Sequence, residues 1–292
     1  MNIDHVTVFG GSGFLGRRLV ERLVQAGATV RVAGRNPTSF DDVEAVRADV
    51  CDAASVARAV EAADAVVNAV GYYVESGGVT FDAVHGVGAG TVARCAAEAG
   101  AGRLVHLSGI GADATSPSAY VRSRAAGETR VREAFPDATI LRPSVIFGPG
   151  DAMVTALAAV LRRLPVMPLF GRGETRLQPV FVGDVADAAA RVLAMAYTAG
   201  KTYELGGPDV YSYRALLELL CASLGIRRRL MPMPFVLWEI QAALASLLPR
   251  PPLTRDQVTL MRHDNVVAED ALGLADLGIT PTALEAVLPT YL

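Results

Sequence analysis

Short apolar runs alternate with longer stretches whose apolar residues recur three and four places apart, all through the first half of the chain. Val6-Thr-Val-Phe9 reads as a strand, and Gly13 to Ala26 carries Leu15, Leu19, Leu23 and Val24 on one helical face. The alternation goes on with strands over 29–33 and 45–48, a helix over 53–62 that Asp52 can cap, and a strand over 65–69. A helix over 81–99, a strand over 103–108, a helix bearing Tyr120 that runs to about 135 and a strand over 139–142 follow. Repeated βαβ units of this kind predict an α/β fold, a doubly wound parallel sheet of Rossmann type.

The rhythm changes after Pro143, with prolines at 165, 168 and 179. Pro179-Val-Phe-Val-Gly-Asp184, followed by an alanine-rich helix to Ala196, reads as one more unit of the main sheet. Helices are expected over 211–224 and 234–248, with a break at Pro249-Arg-Pro-Pro252. Thr254-x-x-Gln257 and Thr282-x-x-Glu285 each have the spacing of a capping box.

Composition narrows the class. The 292 residues are 51% hydrophobic and 20% charged, enough to build one large core and too apolar for a disordered chain. A net charge of −3 and a pI near 5.8 argue against a nucleic-acid partner. Arg227-Arg-Arg229 is the only basic run and reads as a solvated turn. Cys51, Cys95 and Cys221 are odd in number, widely spaced and without a CxxC pair, which points to reduced thiols in a cytoplasmic protein. His5, His85, His106 and His263 lack metal-ligand spacing and read as structural or surface residues. Met1-Asn-Ile-Asp-His5 enters a strand directly, leaving no room for a signal peptide. No run approaches the roughly eighteen apolar residues of a membrane span. Phe235 to Leu248 comes nearest, but Glu239 and Gln241 interrupt it, and a core helix explains it better than a membrane surface does.

The candidate chemistry begins with Gly10-Gly-Ser-Gly-Phe-Leu-Gly16, set between the first strand and its helix. Glycines there permit a tight turn and close approach to a pyrophosphate, and the helix start supplies amide donors. Gly10, Ser12, Gly13, Phe14, Leu15 and Gly16 are therefore candidate residues for binding a dinucleotide. NAD-specific sites usually carry an acid at the end of strand two. This chain has Arg31-Val-Ala-Gly-Arg35-Asn36, with no acid until Asp41. Arg35 can pair with a 2′-phosphate, so NADP(H) is favoured over NAD(H), with Arg17 a weaker helper. Asp49, with Val50 beside it, falls after strand three, where a carboxylate can accept from the adenine amino group. Asn68-Ala-Val-Gly71 places the small residues Ala69 and Gly71 at the end of strand four. The expected organisation is a nucleotide-binding domain over 1–148, rejoined by 177–197, and a smaller α/β substrate or lid region over 149–292.

Tyr120 and Arg124 stand one helical turn apart on a single face. A cation so placed favours a tyrosinate for proton transfer.

With these motifs the chain resembles the extended short-chain dehydrogenase/reductases. The matching features are the Gly10/Gly13/Gly16 loop, Asp49, the Tyr120 helix and Arg142-Pro-Ser-Val-Ile-Phe-Gly-Pro-Gly150, which contains Pro143. Four further segments resemble an atypical branch, the nucleotide-binding alpha subcomplex subunit nine of respiratory complex I and its bacterial relatives. They are Ser116-Pro-Ser-Ala-Tyr120 with Ala125-Ala-Gly-Glu128, Ala134-Phe-Pro-Asp137, Leu253-Thr-Arg-Asp-Gln257, and Asp264-Asn-Val-Val267.

The resemblance implies a catalytic serine, tyrosine and lysine. Here Ser108 sits two positions early, where Ile110 takes the usual place, and Arg124 replaces the lysine. Ser108, Tyr120 and Arg124 are the catalytic candidates and also belong to the implied cofactor site, as does Pro143. The resemblance thus implies an NADP(H)-binding accessory or assembly protein, or a weakly active oxidoreductase. It further implies a partner such as complex I or another membrane-associated enzyme, and a place peripheral to the inner membrane. The alternative it implies is an active reductase, epimerase or dehydratase on a carbonyl, quinone or nucleotide-sugar substrate.

Overall fold

Val6, Val8 and Phe9 are almost fully buried in the first strand, β1 (His5–Phe9), which lies at the middle of a parallel sheet. The computed structural model describes residues 3–38, 43–75, 77–248 and 253–292; Met1, Asn2, Asp41 and the break at Pro249, Arg250, Pro251 and Pro252 lie outside these residues. By internal contacts the chain divides into two units, the first made of 1–143, 182–205 and 268–280 and the second of 144–181, 206–267 and 281–292.

The first unit continues with α1 (Phe14–Gln25), β2 (Thr29–Gly34), β3 (Glu44–Arg47), α2 (Ala53–Ala59) and β4 (Ala65–Asn68). Then come α3 (Ala89–Glu98), β5 (Arg103–Leu107), α4 (Ala119–Ala134) and β6 (Thr139–Pro143). These strands and Thr202–Leu205 form a seven-stranded sheet in the order β3-β2-β1-β4-β5-β6-(Thr202–Leu205), every pair parallel. The order reverses between β1 and β4, the switch point at which such sheets open a crevice for ligands.

Alternate residues on one face, including Phe9, Ala33, Val66, Leu104 and Ile140, pack with Val56, Val92 and Val131 of α2, α3 and α4. At about 25 cal/mol per Å², each fully buried Val, Leu, Ile or Phe of this set contributes on the order of 1.5–3 kcal/mol. Helix α1 packs against the helix Val182–Ala194, and Arg22 pairs with Asp187 at 2.6 Å between them.

Two expectations need correction. The main sheet takes its last strand from Thr202–Leu205, whereas Val180–Phe181 pairs with Ile146–Phe147 in the second unit. Tyr203 and Leu205 are buried beside β6, but four residues of Thr-Tyr-Glu-Leu carry little strand signal. The stretch expected as one helix over 81–99 begins as a π-helix, Asp82–Gly88, before α3. Its His85 carbonyl lies so close to Gly127 of α4 that a Cβ on Gly127 would overlap it, and the wider turn accommodates that approach. Asp52 caps α2 as expected, and Thr254 with Gln257 forms a complete capping box, while the helix Leu284–Val287 begins after Ala283.

The second unit holds three two-stranded ladders: Ile146–Phe147 with Val180–Phe181, Arg176–Leu177 with Tyr211–Ser212, and Val166–Phe170 with Arg229–Met233. Leu161, Leu169, Leu216, Leu220 and Leu288 form its core. Trp238, Ala242 and Val258 form a smaller cluster, and the Trp238 indole donates to the Leu169 carbonyl at 3.0 Å. Asp264–Val267 acts as a strap. Asp264 accepts from the Arg176 guanidinium at 2.7 Å, and the Asn265 side chain accepts from Ser144 at 2.6 Å and from the Val145 amide at 3.1 Å.

Candidate functional site

The sequence candidates all lie in the first unit, at or just beyond the carboxyl ends of its strands or on α4. At the end of β1, Gly10 has a φ of +78°, and a Cβ there would stand 2.7 Å from the Ala69 carbonyl oxygen. That approach brings the glycine loop against the end of β4. A Cβ on Gly16 would overlap the Gly10 carbonyl. Helix α1 starts after Gly13 with no side-chain cap and no acid in its first turn. The start of α1 at Phe14, Leu15 and Gly16 thus offers amides and the positive dipole end, which suit a diphosphate. Ser12 ties this loop to the exit from β2, its hydroxyl accepting from the Thr38 amide at 3.1 Å, while Arg17 donates to the Ser12 carbonyl at 3.0 Å.

Arg35 lies at the exit of β2, exposed and without an ion pair among the described residues. Asp49 follows β3, half-buried, one oxygen accepting from the Cys51 amide at 3.0 Å, and Val50 is buried beside it. Burial and then the Asp49 carboxylate push the Cys51 thiol up, with Arg35 acting in the opposite direction. Past β6, the Pro143 carbonyl accepts from the Ile110 amide at 3.2 Å.

Helix α4 begins at a cap, Ser118, whose hydroxyl accepts from the Val121 amide at 3.2 Å. One turn on, Arg124 is 5% exposed. Its Nη1 donates to the Leu107 carbonyl at 2.9 Å and its Nη2 reaches the Tyr120 hydroxyl at 3.2 Å. Its carbon also lies 5.2 Å from the Tyr120 ring centre. The guanidinium thus joins the end of β5 to the phenol. Ser108 donates its amide to the Leu141 carbonyl at 2.8 Å, yet its buried hydroxyl has no protein partner. Arg124 Nε and both ring nitrogens of His106 share that condition.

Sequence reasoning missed the aromatic and imidazole groups around Tyr120. Tyr73 stacks on the Tyr120 ring at 6.0 Å, while Phe81 and His85 meet it edge-on at 5.6 and 5.4 Å. His85 Nε2 accepts from the Tyr72 amide at 3.1 Å, which makes Nδ1 the protonated nitrogen facing Ser123 Oγ at 3.0 Å. Burial, then the charges of Arg124 and His106, pull the His85 pKa down to about 2, and burial with Arg124 takes His106 to about 3. Both rings are neutral at ordinary pH. The only signal in the chain was Ser123-Arg124 one turn beyond Tyr120; nothing in the local pattern announced that Tyr73, Phe81 and His85 would close around it.

Several motif residues are structural. Arg142 is held by Glu128 at 2.8 Å and Glu204 at 3.3 Å, tying α4, β6 and Thr202–Leu205 together. No helix among the described residues is long and apolar enough to cross a membrane.

The sequence profile of the NAD dependent epimerase/dehydratase family matches residues 6–206. The chain is 32% identical over 300 residues to the mitochondrial NADH dehydrogenase (ubiquinone) 1 alpha subcomplex subunit 9 of Arabidopsis thaliana, spanning 96% of this chain and 75% of that protein. It is 35% identical over 198 residues to the ceramide reductase of Caulobacter vibrioides, spanning 66% and 61% of the two. Among solved structures, the UDP-glucose 4-epimerase of Thermus thermophilus in complex with NAD superposes with a TM-score of 0.72 at 21% identity, covering 98% and 96% of the two chains. The chain belongs to the NAD dependent epimerase/dehydratase family, the extended short-chain dehydrogenase/reductases, and is similar within it to the alpha subcomplex subunit 9 proteins of complex I.

Proposed function

We propose that this protein binds NADP(H) in its first unit and keeps it mainly as a structural ligand, serving as an accessory or assembly subunit of a membrane enzyme such as complex I. The carrying observation is the state of Arg124. A lysine here would offer one compact ammonium to both phenol and nicotinamide ribose. Arg124 instead spends one nitrogen on the Leu107 carbonyl and another on Tyr120, inside the protein. Ser108, with its hydroxyl buried, is two positions ahead of the residue that would orient a carbonyl.

The cofactor roles follow strand by strand. Gly10 to Gly16, with Ser12 and the start of α1, take the diphosphate, and Arg35 takes the 2′-phosphate. Asp49 and Val50 hold the adenine; Ala69, Gly71 and Pro143 line the nicotinamide half, with Tyr120 and Arg124 at its ribose. The cofactor, once bound, supplies hydride chemistry. The second unit, 144–181 with 206–267 and 281–292, serves as the substrate or lid region. Likeness to subunit 9 along 96% of the chain supports the accessory role and a place at the periphery of an inner membrane.

A second reading, a working reductase on a carbonyl compound, is favoured by one observation: Tyr120 retains its hydroxyl 3.2 Å from a cation. Two measurements decide. Mass spectrometry of the copurified ligand identifies NADP(H) under the proposal, and an empty protein with no affinity for pyridine nucleotides overturns it. Single-turnover hydride transfer to ketones and quinones is absent under the accessory reading. Transfer that Tyr120→Phe abolishes establishes the reductase instead.

A further inference from the structure

The Phe235–Ala245 helix is apolar on both sides. Trp238 and Ala242 face inward, at 8% and 0% exposure. Outward stand Val236, Leu237, Ile240 and Leu244, followed just past the helix end by Leu247 and Leu248. Ile240 is 52% exposed, Leu244 66% and Leu247 83%. At 3.6 residues per turn the four helical positions, Val236, Leu237, Ile240 and Leu244, fall within about a third of the circumference, and Leu247 and Leu248 continue the apolar surface past the helix end. The core explanation read from the sequence accounts for the inward face alone.

The chain that leads into the helix is basic. The strand Arg229–Met233 leads into the helix, with Leu230 turned to the core and Arg229 and Met231 exposed. Arg227 and Arg229 make no ion pair among the described residues. The one acid on the helix, Glu239, is matched by Arg262 at 2.6 Å and so does not oppose an anionic surface. An apolar stripe with unpaired arginines ahead of it is the pattern of a helix lying in a membrane interface, its apolar side chains in the acyl boundary and its cations among anionic headgroups.

We propose that the outer face of the Phe235–Ala245 helix, with Met231, Arg227 and Arg229, docks this protein directly on an anionic lipid bilayer. The proposal does not depend on bound nucleotide or on a respiratory partner, so purified protein is sufficient to test it. Flotation with vesicles of phosphatidylcholine and phosphatidylglycerol should carry the protein, while phosphatidylcholine alone should carry little and salt should weaken the binding. Ile240→Glu with Leu244→Glu should cut binding at least about tenfold. Each of Arg227→Gln and Arg229→Gln should cut it about fivefold. All four residues are exposed, so an unchanged thermal midpoint separates loss of docking from loss of fold.

Failure of the wild type to float with anionic vesicles overturns the proposal, as does binding that survives the double glutamate variant. A concentration-dependent dimer by light scattering that Ile240→Glu dissolves, with no flotation, assigns the face to a second copy instead and likewise overturns it.

Discussion

Arg124 Nη2 lies 3.2 Å from the Tyr120 hydroxyl, one turn back on the same helix, while Nη1 of the same guanidinium holds the Leu107 carbonyl at 2.9 Å. The cation that faces the phenol is therefore also a brace between α4 and β5. A lysine ammonium cannot stand at both guanidinium nitrogen positions, so it cannot span the phenol and the Leu107 carbonyl in this way.

Arg124→Lys tests that division of labour. The variant should lose stability by about 1–3 kcal/mol, because the Leu107 carbonyl is left without its charged donor. It should gain single-turnover hydride transfer over the wild type, since an ammonium can now reach phenol and ribose together. Chemical denaturation and stopped-flow absorbance at the reduced nicotinamide band read the two effects; a variant as stable as wild type would refute the brace.

The proposed preference for NADP(H) rests on Arg35. NADPH should raise the thermal midpoint more than NADH at equal concentration, ligand at a hundred times its dissociation constant adding about 2.7 kcal/mol. Arg35→Ala should weaken NADPH roughly tenfold and leave NADH unchanged, as expected for one charge-assisted contact at an exposed position. Equal stabilisation by both nucleotides in the wild type removes the role assigned to Arg35.

The glycines should separate fold from ligand. A Cβ on Gly16 overlaps the Gly10 carbonyl, so Gly16→Ala should destabilise the protein by at least about 1–3 kcal/mol even without nucleotide. Gly13 has an ordinary backbone, at φ −78°, and its nearest neighbour would be 3.2 Å away. Gly13→Ala should therefore fold nearly as well as wild type and lose nucleotide affinity. Paired denaturation and calorimetry would expose the error if both variants behaved alike.

Acid should unfold the protein early. His85 and His106 have folded pKa values near 2 and 3, far below an unfolded value of about 6.5. Below pH 6.5 the unfolded chain takes up protons that the folded chain refuses, so stability falls as pH drops from 6.5 toward 3. Each group contributes a slope of about 1.4 kcal/mol per pH unit. Because both His106 nitrogens lack partners, His106→Leu should flatten this slope without a penalty at neutral pH. A pH series of midpoints that is level between 6.5 and 4 would contradict the assignment.

The sequence by itself determined the glycine loop, the order of the first six strands and the Tyr120–Arg124 pair, because each is local. Strand and helix periods are written over a few residues, and i,i+4 spacing is a property of one helix. The π-helical turn at His85 and the strand Thr202–Leu205 were decided by neighbours remote in sequence. Thr202–Leu205 became a strand because β6 offered it an edge, and residues 82–88 widened because Gly127 admitted a carbonyl. Only the tertiary structure decided which side of the Phe235–Ala245 helix meets the core, since a segment apolar all round has no moment to orient it. The same holds for Arg124. Its place one turn from Tyr120 is local, but its tie to Leu107 arises only when a helix is packed over the end of a strand seventeen residues earlier.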